Sequence, residues 1–123
     1  MKKILIGTIL FSLLIFVGHT LFIKPILNNI NNCYQNELQY QNENFPVAAK
    51  IIDKEEQKQY VCSTSEESIL NLKSCLNTIS VDSLLGGIAL NYLPIANAKK
   101  NINQNILEHN NACLNQIVLV DTF

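Results

Sequence analysis

Arginine and tryptophan are both absent from these 123 residues, and every one of the nine cations is a lysine. Without guanidinium groups the chain lacks the bidentate phosphate and guanine contacts that dominate nucleic-acid recognition, so no nucleic-acid partner is expected. Charged residues are scarce at 15%, against 48% hydrophobic, which is too apolar for a disordered chain. Only one long apolar run is present, which excludes a multi-pass membrane protein. Catalytic signatures are missing as well. There is no nucleophile elbow, no zinc-protease motif, no phosphate loop and no dinucleotide fingerprint. His109 is the sole imidazole beyond the apolar run, and the neighbouring pairs Glu55-Glu56 and Glu66-Glu67 would point about 100° apart on a helix. The expectation is a protein that is not an enzyme, with no catalytic residues, cofactor or metal.

Asparagine, by contrast, is abundant from Asn28 through Asn115. With the many isoleucines it reads as the product of AT-rich codons and as filler of solvated helix faces, and carries no functional weight.

Met1-Lys2-Lys3 precedes twenty residues, Ile4 to Ile23, in which only His19 can take up a charge; Lys24-Pro25 ends the run. Twenty helical residues span about 30 Å, the hydrocarbon thickness of a bilayer. A secretory signal peptide shares this pattern, but the best cleavage motif, Gly18-His19-Thr20, is poor, and no Ala precedes Ala48. Residues 1–24 are therefore expected to form an uncleaved transmembrane signal anchor, with a signal peptide as the alternative. The lysines before the run favour a cytoplasmic N-terminus. The domain of residues 25–123 then faces outward with six Lys, ten acids and a formal charge of −4.

Within that domain, Ile26, Ile30, Tyr34 and Leu38 predict a first helix to about Glu43, broken at Asn44-Phe45-Pro46. Residues 47–61 fit either a helix or a small hairpin, with the helix preferred. Ser63 with Glu66 and Thr64 with Glu67 have capping-box spacing and predict a helix start, followed by a buried stripe of Ile69, Leu72, Leu76 and Ile79 and a break within 80–83. The apolar stretch 84–96 is too short to cross a bilayer and is expected to be a buried core helix, with Gly86 and Gly87 permitting close helix contact; an exposed docking surface for a partner or for the membrane interface is the alternative. After Pro94, a stripe of Ile95, Ile102, Ile106, His109, Cys113 and Ile117 predicts a last helix. His109 on that stripe is expected to be a satisfied core or boundary histidine. Ile117 to Val120 is expected either to enter the core or to form a contact strip.

The four cysteines, Cys33, Cys62, Cys75 and Cys113, all follow the apolar run, are even in number and form no C-x-x-C pair. Two disulfides in an oxidising compartment are expected rather than a zinc site or a redox centre. Of the three connectivities, Cys62 with Cys75 plus Cys33 with Cys113 is favoured, with Cys75 to Cys113 close behind.

The fold expected is all-α: an N-terminal transmembrane signal-anchor helix followed by a disulfide-stapled bundle of three to five helices. The corresponding function is a non-catalytic protein held in the cytoplasmic membrane through residues 4–23, single-pass, N-terminus inside, binding an envelope protein whose identity is unknown. The alternative is a periplasmic or secreted small inhibitor, immunity or ligand-binding protein released by signal-peptide cleavage.

Overall fold

The computed structural model describes residues 1–92 and 97–123 and is all-α, with no strand among the described residues. Pro94 and Ile95 of the expected last stripe lie outside the described residues.

A continuous helix runs over Lys2–Ala48. It comprises α1 (Lys2–Gly18), a π-helical turn (His19–Ile23) and α2 (Lys24–Ala48). The π turn has a local cause: Pro25 has no N–H to return to Leu21, and the Lys24 N–H reaches back five residues to the His19 carbonyl. No side chain of α1 is buried. Beyond Lys24 the helix acquires an inner face through Ile30 and Cys33. The expected stripe drifts off that face, because intervals of four exceed the helical 3.6. Leu38 is therefore exposed, and Glu37 and Gln41 turn inward in its place.

Pro46 does not end the helix where the sequence suggested. It sits in the final turn, so the single hydrogen bond it removes leaves only the carbonyl of exposed Asn42 facing water. The ambiguous segment 47–61 contributes the end of α2, a turn and the start of α3 (Lys54–Asp82). The start expected at Ser63 and Thr64 is corrected. Asp53 caps α3 by accepting from the Glu56 N–H at 2.9 Å, and Glu55 and Glu56 occupy the positive first turn. No Gly or Pro interrupts the chain between Asp53 and Thr64, so the helix passes straight through the later capping boxes, and Thr64 and Ser68 are buried within it. Ile69, Leu72 and Leu76 form its buried stripe as expected, with half-buried Ile79 extending it.

Ser83 alone breaks α3 from α4 (Leu84–Tyr92), and its hydroxyl accepts from the Gly86 N–H. The segment is not wholly core: Gly86, Ala89 and Leu90 are buried, whereas Leu84, Leu85, Ile88 and Tyr92 are exposed. After left-handed Asn97, α5 (Ala98–Ala112) buries Ala98, Ile102, Ile106 and His109. The helix stops at Ala112 rather than continuing to Ile117, and the remaining chain has no regular secondary structure, with Ile117 and Val120 tucked inward.

Two disulfides join Cys33 to Cys75, Cα–Cα 5.8 Å, and Cys62 to Cys113, Cα–Cα 5.7 Å. The favoured pairing of Cys62 with Cys75 is thus corrected. Both lie on α3, and thirteen residues of helix separate them by about 20 Å, far outside disulfide reach. The bundle that results has α2 antiparallel to α3 and α3 antiparallel to α5.

Candidate functional site

The side chains with chemical potential converge on a cleft of about 450 Å³ between α2, α3 and α5. Glu37, Gln41 and Ser68 form a closed triangle in it. The Gln41 amide donates to both Glu37 Oε1 and Ser68 Oγ at 3.2 Å, and the Ser68 hydroxyl donates to Glu37 Oε1 at 3.3 Å. Burial pushes the Glu37 carboxyl above the ordinary carboxylate range, and the Ser68 hydrogen bond offsets part of that rise.

His109 lies on the same cleft, buried, with both ring nitrogens engaged. The Asn115 carbonyl lies 2.9 Å from Nε2 and can only accept, so Nε2 carries a proton. In the neutral ring Nδ1 then accepts from the Ser65 hydroxyl at 3.0 Å. The histidine therefore fixes the start of the C-terminal segment to α3, which is the satisfied role the sequence suggested. A serine beside an imidazole also has the geometry of a nucleophile and its base. Ser65 is in the middle of α3, however, where backbone N–H groups are bound within the helix and leave no pair free to hold an oxyanion.

Each expected disulfide cysteine is paired, so Cys113 bonds to Cys62 instead of joining His109 as a metal ligand. Cys33 and Cys75 tie the N-terminal half of α2 to the C-terminal half of α3.

A second arrangement has no counterpart in the sequence reading, which assigned asparagine no weight. Three asparagine amides each grip one residue of the C-terminal segment by both its N–H and its C=O. Asn110 holds Ile117 at 2.8 and 2.8 Å, and Asn103 holds Val120 at 2.9 and 2.7 Å. Asn91 on α4 holds Phe123 at 3.3 and 2.9 Å. Asn103 and Asn110 are seven residues apart on one face of α5, about 10.5 Å of helical rise, and hold tail residues three apart, while Asn91 meets Phe123 from α4. Ile117 and Val120 bury their side chains at the same points and Phe123 packs on the core, while Val118 and Leu119 face outward. The core expectation for 117–120 holds for Ile117 and Val120 and not for the exposed Val118 and Leu119. The signal available was the seven-residue spacing of Asn103 and Asn110 beside the three-residue spacing of Ile117, Val120 and Phe123.

These features define an all-α, disulfide-stapled small bundle carrying an exposed apolar helix. In comparisons with known families, curated proteins and solved structures, the chain matches none.

Proposed function

We propose that this chain is a non-catalytic, membrane-anchored extracytoplasmic protein that acts through protein–protein interaction in the cell envelope. The observation that carries the reading is α1: a long apolar helix with no buried side chain, continuous with a domain closed by two disulfides. A core helix of a water-soluble domain would be covered by its own fold, and this one is not. Its hydroxyls support a lipid setting. Thr8, Ser12 and Thr20 all donate to carbonyls of their own helix at 2.8 to 2.9 Å, which leaves no hydroxyl proton unsatisfied in hydrocarbon. The disulfides favour an oxidising compartment, and Lys2 and Lys3 favour a cytoplasmic N-terminus with the bundle outside a cytoplasmic membrane. The non-catalytic part of the reading is supported by polar cleft groups that bond one another rather than standing free toward a substrate.

Intact mass of the protein from membrane and soluble fractions, alkylated with and without prior reduction, tests the reading. A full-length membrane species that takes up four alkyl groups only after reduction is the expected result. A soluble species shortened by about 20 residues would overturn the anchor in favour of a secreted or periplasmic protein.

A further inference from the structure

Among the described residues, nothing covers the exposed face of α4. Val81 at the end of α3 and Leu84, Leu85, Ile88 and Tyr92 on α4 are all exposed, Leu84 at 83% and Tyr92 at 77%. Leu84, Ile88 and Tyr92 recur at intervals of four, so they share a face, and α4 carries no charged residue. The buried residues Gly86, Ala89 and Leu90 occupy the other side. The other exposed apolar residues of the bundle include Leu38 on α2, Ile52 in the α2–α3 turn, Leu107 on α5, and Leu114, Val118 and Leu119 in the tail.

The register of the bundle locates this face. Cys33 is bonded to Cys75 across antiparallel helices; seven residues on along α3 is Asp82, and seven residues back along α2 is Ile26. The junction of α3 and α4 is therefore level with Ile26, one helical turn or about 5 Å beyond Ile23, where the apolar run ends. Because Lys2–Ala48 is one continuous helix, that level is measured along the axis of the apolar helix itself. An amphipathic helix at a bilayer surface sets its apolar face into the boundary between headgroups and acyl chains, and the register places the start of α4 about 5 Å outside the end of the apolar run, beside that boundary. A tyrosine at its far end suits the same layer, with an apolar ring and a polar tip.

We propose that α4 is a second membrane contact, a short interfacial helix that rests its Leu84, Leu85, Ile88 and Tyr92 face on the outer surface of the bilayer crossed by α1. This inference rests on the anchored reading above. Two attachments, one spanning and one lying flat, would hold the bundle in a fixed orientation and aim its remaining surface away from the lipid.

The chain contains no tryptophan, so single reporters can be introduced into the full-length protein reconstituted in phosphatidylcholine vesicles. Ile88→Trp reads α4, Phe16→Trp reads the spanning helix, and Val118→Trp reads the exposed tail, which lies level with the middle of α3, about 20 Å from the α3–α4 junction. With lipid carrying a quencher just below the headgroups, Ile88→Trp is expected to lose about half of its emission or more, and to be shielded from aqueous iodide. Val118→Trp is expected to be quenched by iodide alone. If Phe16→Trp is quenched by lipid but Ile88→Trp responds only to iodide, the anchor stands and the α4 contact is overturned. If Ile88→Trp resists both quenchers, protein covers the face and the lipid proposal is overturned. If Phe16→Trp itself escapes lipid quenching, the anchored reading fails and takes this proposal with it.

Discussion

Gly86 and Gly87 are adjacent and chemically identical, yet their surroundings assign them different roles. A Cβ on Gly86 would overlap the backbone carbonyl of Ile79, which cannot turn away, whereas a Cβ on Gly87 would meet the Ser80 hydroxyl at 3.2 Å, which can rotate. Gly86→Ala is expected to destabilise by about 2–3 kcal/mol, because α4 must back away from α3. Gly87→Ala should fall within about 1 kcal/mol of the parent, with gained helix propensity offsetting the tight contact. Urea unfolding of both variants checks this, and equal losses would contradict the close approach. Glu37 yields a pH-dependent expectation. Its raised folded-state pKa means the folded protein binds the proton more readily than the unfolded chain, so folding is favoured as pH falls and penalised once the carboxyl ionises. Glu37→Gln should therefore melt higher than the parent at about pH 7, with the difference closing toward about pH 4. A difference that is constant with pH would show that the Glu37 charge is not what the fold opposes. The sequence marks Glu37 only as one acid among ten; its burial follows from the drift of the α2 stripe.

At the scale of elements, the stripes of α3 and α5 are legible because helical periodicity is local, and Ile69, Leu72, Leu76, Ile102 and Ile106 are buried as their spacing requires. Helix ends are less legible. Two capping boxes at Ser63 and Thr64 are overridden because Asp53 starts the helix ten residues earlier, and a capping residue already inside a helix has no free N–H to cap. The tail is held by asparagines on α4 and α5 and by the Cys62 disulfide to α3. Asn103→Ala removes both hydrogen bonds to Val120 and is expected to cost about 1–3 kcal/mol, with faster amide exchange at Val120. Asn111→Ala, at an exposed position on the same helix, should leave stability within about 0.5 kcal/mol of the parent. Similar losses from both would return asparagine to the status of surface filler.

At the scale of the whole molecule, the two disulfides close overlapping loops of 42 and 51 residues and join α2 to α3 and α3 to the tail. Removing the second bond by Cys62→Ser with Cys113→Ser should lower stability by about 2–4 kcal/mol and leave no alkylatable thiol without reduction. Cys62→Ser with Cys75→Ser should instead strand Cys33 and Cys113 and label two thiols in the unreduced protein. The reverse pattern would restore the pairing the sequence favoured. An all-α chain, an apolar helix of bilayer length and an even set of cysteines beyond it were determined by the sequence alone, since composition and short-range periodicity carry them. The cysteine pairing, the passage of α2 through Pro46, the two-sided α4 and the asparagine grip on the tail were decided only by tertiary structure. Each depends on distances between residues that are remote in the chain or on which side of a helix faces the core, and local spacing does not encode either.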